Sequence, residues 1–173
     1  NTIYLVSTQF DFNEGYYTQF VSDRCLSNVE HQHDFYEIIC VLSASCVQIV
    51  NGKRMDCDTK SITILSPHDR HYYESQEDGL VLVSISVKPE EMALFMRAYG
   101  INVFSLEEPY SLSARDMQRL KNLCRQSMVS NNPLILKNVL GIVFNSIAEY
   151  KVTIEQKIPN VFVKIIEEMN TME

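Results

Sequence analysis

The hydrophobic spacing of this chain changes once, near Val87, from a strand-like period to a helical one. Short apolar or alternating runs precede Val87 and are separated by turn-forming residues, a pattern that predicts an antiparallel sandwich or barrel. Asn51 and Gly52 stand between two such runs and supply the two positive φ angles of a type I′ hairpin turn. The predicted strands cover residues 3–6, 16–21, 36–42, 46–50, 62–65 and 80–87.

Two helices are indicated directly after this part of the chain. Pro89 suits the first turn of a helix that ends before Gly100, because proline is favoured at the start of a helix and glycine after its end. Ser113 and Asp116 have the spacing of a capping box, which predicts the beginning of a second helix. The chain is therefore expected to be mainly β with helices at its C-terminal side.

A third helix is predicted from Pro133 to about residue 150, and a last short helix from about Pro159. The third helix carries two apolar stripes, and one domain is expected to cover only one of them. We therefore predict a homodimer in which the other stripe is buried between two copies of the chain. The predicted interface consists of Leu136, Leu140, Val143 and Ile147, and the second stripe of Ile135, Val139 and Ile142.

Composition narrows the class of protein. The 173 residues include 15 basic and 22 acidic side chains, a net charge of −7, which disfavours contact between this segment and nucleic acid. No apolar run approaches the roughly 20 residues of a membrane helix.

Five cysteines without CxxC spacing favour a reducing cytoplasm over a disulfide framework. Both ends lack the features of a natural terminus, and we expect a longer protein.

Three histidines and one glutamate form the most informative constellation. His31, His33 and Glu37 share parity, so in one strand their side chains would point to the same face. His71 follows a predicted hairpin and would join them from a neighbouring strand. Imidazoles and a carboxylate are ligands of divalent metals, and the set predicts a site for Zn, Ni, Mn or Fe.

This constellation resembles the first motif of the cupin superfamily, with Ala44 at the position of the motif's glycine. Pro67 and His71 match the second cupin motif, although Lys60 and Asp69 replace its glycines. The resemblance implies a cupin-like β-barrel, also called a double-stranded β-helix.

The stretch 31–71 more specifically resembles the sensor domain of AraC-type transcription regulators, and the string at 31–37 looks most like members that sense chitobiose-type disaccharides. The resemblance covers roughly residues 15–170. It implies three parts: a cupin-like effector-binding barrel at 1–88, a helical dimerisation region at 89–157, and the start of a linker and DNA-binding domain at 158–173.

The family resemblance also implies a function. A small-molecule effector, expected to be a saccharide, would bind in the barrel near His33, Phe35, Glu37 and Tyr73. This part of the bacterial regulator would act in the cytoplasm, without a membrane and without catalysing a reaction. DNA would be contacted only by a helix-turn-helix domain that follows this chain.

Two other classes of protein stay open at this point. A metal-dependent cupin enzyme, such as a dioxygenase or a sugar isomerase, would use His31, His33, Glu37 and His71 as ligands. The incomplete glycine pattern and the added helices count against it. A free carbohydrate-binding module is the second alternative, and the apolar third helix and the unpaired cysteines count against that one.

Overall fold

The computed structural model describes residues 4–6, 16–22, 28–130 and 132–170, with side chains described for residues 28–151 except 75, 128 and 131. Strands occupy the described part up to Val87, and helices follow, with one short strand between the first two helices. The change of hydrophobic period therefore marks the change of secondary structure, as predicted. No helix in the described ranges is long and apolar enough to cross a membrane.

In the described ranges, ten strands form two five-stranded sheets. They are β1 (Tyr4–Val6), β2 (Tyr16–Ser22), β3 (His31–His33), β4 (Tyr36–Ser43), β5 (Cys46–Val50), β6 (Lys53–Cys57), β7 (Ser61–Leu65), β8 (His71–Gln76), β9 (Val81–Val87) and β10 (Tyr110–Ser111). The first sheet has the order β1-β3-β8-β5-β6, and the second has the order β10-β7-β4-β9-β2. Every strand pair is antiparallel except β1 with β3.

The two sheets form the cupin-like, strand-rich unit that the sequence predicts. Among the described strands, no hydrogen-bonded pair joins one sheet to the other, so the unit is an open sandwich rather than a closed barrel. One apolar cluster lies between the sheets and contains residues from both of them. It includes Ile39, Val41, Cys46, Val50, Met55, Cys57, Leu65, Tyr73, Leu80 and Leu82.

The hairpin between β5 and β6 forms at the predicted turn. Asn51 and Gly52 have φ angles of 50° and 78°, the left-handed conformations that a type I′ turn requires. The pairing of Val50 with Lys53 fixes the register of the two strands.

The segment that contains His31, His33 and Glu37 differs from the prediction. The three residues do not share one strand, because β3 ends at His33 and the chain bends before β4 begins at Tyr36. His33 therefore belongs to the first sheet and Glu37 to the second. The bend carries the chain from the first sheet to the second. The argument from shared parity was therefore wrong, although His33 and Glu37 still lie close together.

Three helices cover the outer face of the second sheet. They are α1 (Pro89–Tyr99), α2 (Ala114–Val129) and α3 (Pro133–Asn170). Gly100, at φ 63°, ends α1 in the left-handed conformation. The Asp116 N–H donates to the Ser113 hydroxyl oxygen at 3.1 Å and caps α2. Both predicted helix signals are thus confirmed.

The prediction of two separate C-terminal helices was wrong, because α3 is one helix of 38 residues that runs through Pro159. A proline inside a helix removes one backbone hydrogen bond without necessarily ending the helix. The apolar spacing on both sides of Pro159 is helical, so the proline was misread as the start of a new helix.

A second apolar cluster lies between the outer face of the second sheet and the helices. Its strand residues alternate along β4 with those that face the first sheet, which explains why β4 is apolar on both faces. The cluster also contains all four side chains predicted for the dimer interface: Leu136, Leu140, Val143 and Ile147.

The two stripes of α3 are therefore covered within one chain. The helix packs against α2, α1 and β10, and Val139 and Ile142 of the other stripe are buried as well. This placement corrects the assumption that one domain could cover only one stripe, because α3 packs against two helices and a strand of its own chain. The division at residues 88 and 157 stays a prediction, as does the dimer.

Candidate functional site

Three polar side chains converge in the space between the sheets, each positioned by a different strand. His33 is the last residue of β3, Glu37 lies near the start of β4, and His71 opens β8. Because His31 pairs with His71 across the ladder, β8 is the direct neighbour of β3. The bend after His33 brings Glu37 back toward both histidines.

The ligand atoms of these three residues lie within 4.8 Å of one another. The Nε2 atom of His33 is 3.2 Å from Oε2 of Glu37, and Nε2 of His71 is 3.5 Å from the same oxygen. Both histidine side chains are 2% exposed and the glutamate is 14% exposed. The cluster is thus almost fully removed from water.

The tautomer of His33 follows from its second nitrogen. Nδ1 lies 2.7 Å from the backbone oxygen of Phe35, and a carbonyl oxygen only accepts, so Nδ1 carries the proton. In the neutral ring, Nε2 then presents a lone pair toward Glu37. A nitrogen lone pair facing a carboxylate oxygen calls for a cation or a proton between them.

Glu37 is held as a carboxylate. Burial on its own would raise the pKa of Glu37, but the contacts with His33, His71 and Ser84 outweigh burial and lower that pKa to about 2. The Ser84 hydroxyl donates to Oε1 of Glu37. Oε2 therefore remains directed toward the two imidazoles.

Both ring nitrogens of His71 are buried, and neither forms a hydrogen bond with any residue that the structure describes. Burial lowers the pKa of His71 to about 3, although the charge of Glu37 opposes this effect. The ring is therefore neutral at ordinary pH, with one nitrogen available as a ligand.

These residues fit a divalent cation. Two donors about 2.0–2.1 Å from a tetrahedral zinc ion are about 3.3 Å apart, close to both donor distances at Glu37. The set offers two neutral imidazoles and one carboxylate, and the Nδ1 bond of His33 to the Phe35 carbonyl has the second-shell form that orients metal ligands.

The other predicted site residues are close to this cluster but arranged differently. The His31 ring contacts the His71 ring with centroids 4.1 Å apart and the planes tilted by 47°. Its Nδ1 donates to the Val29 carbonyl, and His31 is outside the three-residue group. Phe35 stacks on His33 at 4.2 Å, almost parallel. Tyr73 is buried on the same face of β8 as His71. Burial, with smaller contributions from Glu37 and two cysteines, raises the pKa of Tyr73 well above its usual range.

Sequence reasoning missed two polar side chains of this interior, Ser84 and Gln48. Ser84 interrupts the apolar run of β9, and Gln48 interrupts that of β5. A polar residue at an inward-facing position of a buried strand is the signal that could have identified both.

The comparison with known families decides the class of this chain. Residues 21–138 match the AraC-like ligand binding domain family, which is more than half of the sequence. The chain belongs to this family. The match includes all three residues of the cluster, the strands from β3 to β10 and the last two residues of β2.

Similar proteins agree with this assignment. The HTH-type transcriptional activator RhaS of Yersinia pestis is 32% identical over 71 residues, which are 41% of this chain and 26% of RhaS. The matching part therefore spans about a quarter of that relative. A crystal structure of apo ToxT from Vibrio cholerae has a TM-score of 0.54 at 9% identity, over 86% of this chain and 58% of ToxT. At that identity the similarity concerns the fold alone.

Proposed function

We propose that this chain is the effector-sensing part of a bacterial AraC-type transcription regulator. The observation that carries the proposal is a buried polar cluster between the two sheets of a chain that matches the AraC-like ligand binding domain family. Buried polar groups without partners are costly, and a bound ligand relieves that cost. As part of a transcription regulator, the chain would act in the cytoplasm and would bind its effector without catalysing a reaction.

A divalent metal is the first ligand that we propose for the cluster. His33, Glu37 and His71 would hold Zn, Ni, Mn or Fe, and the ion would supply a positive centre for an oxygen-bearing effector. His31 would support this group from outside by its tilted ring contact with His71.

The second ligand is the effector, for which we propose a saccharide. Tyr73 borders the same interior and provides an aromatic surface with a hydroxyl group, a combination suited to sugars. Phe35 would contribute less directly, because its ring already packs on His33. Similarity to chitobiose-type sensors makes N,N′-diacetylchitobiose the first compound to test.

A homodimer is also part of the proposal. Because the apolar stripes of α3 are covered, we place the contact on the outer groove between α2 and α3, which has a volume of about 670 Å³. Its lining includes Arg119, Lys137 and Asn145. A side chain added at Gly141 would meet nothing within 4 Å, so a second helix can approach closely there.

Signalling would occur by a shift between dimer arrangements. Effector binding between the sheets would favour one arrangement, and a helix-turn-helix domain beyond this chain would bind DNA in that arrangement. The effector can shift the equilibrium only as far as its affinities for the two arrangements differ.

Calorimetric titration of the chain tests this proposal. We expect Zn²⁺ to bind with one site per chain and N,N′-diacetylchitobiose to bind to the zinc-loaded protein. The His33→Ala and His71→Ala variants should lose zinc binding, whereas His68→Asn should keep it, because the His68 side chain is exposed in a turn. Zinc binding that survives in both alanine variants would contradict the proposed site.

A metal-dependent enzyme is the second candidate, and the two-histidine, one-carboxylate set favours it specifically. Turnover separates the two candidates. The iron- or manganese-loaded chain should leave aromatic substrates and sugars unchanged if it is a sensor, and sustained conversion of either would identify an enzyme.

A further inference from the structure

Gln48 is an unpartnered amide in the interior of the sandwich. Its side chain is 1% exposed, and neither Oε1 nor Nε2 has a hydrogen-bonding partner within the described part of the chain. Ser84 and Thr63 of the same interior differ in this respect, because Ser84 donates to Glu37 and Thr63 contacts the sulfur of Met55. Among the described residues of this interior, Gln48 shares the lack of a hydrogen-bonding partner with His71 of the cluster.

This arrangement is costly. A buried hydrogen-bonding group without a partner costs about 1–3 kcal/mol, and an amide has two donors and an acceptor to satisfy. A methionine would fill nearly the same volume in β5 without that cost. No described residue satisfies the amide, so its position indicates a bound group that would supply the partner.

The strand register places Gln48 beside the cluster. Gln48 pairs with Tyr73 and Val50 pairs with His71, so Gln48 and His71 are diagonal neighbours on one face of the sheet. Diagonal neighbours are about 7–8 Å apart, a gap that one sugar ring can bridge. The register shifts between Val47 and Gln48, and such irregularities commonly redirect a side chain.

The electrostatics of the interior limit the class of ligand. No lysine or arginine among the described residues is buried, whereas the Glu37 carboxylate faces the same space. An anionic ligand would gain no counter-charge from these side chains. A primary amide donates and accepts side by side, which matches two adjacent hydroxyl groups.

We propose that Gln48 is a ligand-binding residue that recognises a pair of adjacent hydroxyl groups on a neutral effector. This inference rests on the proposed sensing function and adds to it a residue and a class of ligand. The amide would bind one end of the ligand, and the His71 side of the cluster would bind the other.

The test uses the whole chain and four compounds: N,N′-diacetylchitobiose, cellobiose, D-gluconate and D-glucose 6-phosphate. Wild-type protein should bind a neutral saccharide better than either anion. Gln48→Met should weaken that binding by about tenfold or more, because a hydrogen-bonded group loses its partner. Thr63→Val is the matched control, since it removes another buried polar group of the interior and should bind as wild type does.

A second test uses wild-type protein, so its result does not depend on whether the Gln48→Met variant folds normally. The side-chain amide NMR signal of Gln48 should shift when the neutral saccharide is added and should be unaffected by the anions. If the saccharide binds but the signal and the Gln48→Met affinity are unchanged, the role of Gln48 is wrong and the sensing function stands. If the anions bind better, or none of the four compounds binds, the saccharide assignment fails and this inference fails with it.

Discussion

The side-chain oxygen of Asn51 accepts a hydrogen bond from the backbone N–H of Arg70 at 2.9 Å. The backbone N–H of Asn51 donates to the Arg70 carbonyl at 2.7 Å, and its side-chain amide donates to Asp69. The hairpin turn is therefore bonded to the loop that ends at His71. Asn51, which has the φ angle that the turn requires, thus also helps to position His71 of the cluster.

The Asn51→Gly variant tests this coupling. Glycine keeps the positive φ angle but removes both side-chain hydrogen bonds, so we expect a loss of about 1–2 kcal/mol in the free energy of unfolding. Zinc affinity should also fall, because the backbone before His71 is less constrained. Asn132→Gly is the control: it removes a bond to the Leu134 N–H at the start of α3 and should leave zinc affinity unchanged.

Stability of the metal-free protein should fall in acid. His71 has a folded-state pKa of about 3, below its usual 6.5, so between these values the unfolded chain binds a proton that the folded chain does not. The free energy of unfolding should therefore decrease by about 1.4 kcal/mol for each pH unit below 6.5. Glu37, with a folded-state pKa of about 2 against 4.5, adds to this loss below about pH 4.5.

Urea unfolding of wild type and His71→Phe, in the presence of a chelator, measures this effect between pH 7 and pH 5. Phenylalanine keeps an aromatic ring but does not titrate, so its stability should depend less on pH in that window. Equal pH dependence in the two proteins would show that His71 does not titrate as described.

Charges on the two faces of α3 should have different consequences. Val143 is fully buried, and Val143→Asp should cost more than about 3 kcal/mol and yield unfolded or aggregated protein. Gly141→Arg lies on the outer groove and should give a folded monomer. Circular dichroism and light scattering distinguish these outcomes, and a wild-type chain that is monomeric would contradict the proposed dimer.

The Ser113 cap should stabilise α2 by a measurable amount. Ser113→Ala removes the acceptor for the Asp116 N–H, and we expect a loss of about 1 kcal/mol in the free energy of unfolding. Ser111→Ala, at an exposed position of β10, should change stability much less. Thermal unfolding of the two variants side by side provides the comparison.

Features with local causes could be predicted from the sequence. The turn at Asn51 and Gly52, the end of α1 at Gly100 and the start of α2 at Ser113 depend on a few adjacent residues, and all three are present. Three of the four residues predicted for the histidine cluster, His33, Glu37 and His71, lie together. The prediction rested on the cupin-like motif and on shared parity in one strand, and the parity argument was wrong for Glu37.

Features that depend on distant parts of the chain could not be predicted. The bend after His33 involves neither glycine nor proline, so nothing local separates β3 from β4. The cover that α2 gives to α3 depends on packing between helices rather than on either helix alone. Gln48 was not singled out, since its burial depends on the opposite sheet as well as on its own strand.

The short strand β10 has a consequence for the integrity of the sheet. Tyr110 and Ser111 pair with Ile62 and Ser61 of β7, and the Leu112 N–H donates to the Lys60 carbonyl, so the first part of this border of the second sheet is covered. β7 is buried throughout, and an unpaired β7 would be a long apolar edge open to strands of other molecules. Removing the segment between α1 and α2 should therefore cause the chain to self-associate by strand addition.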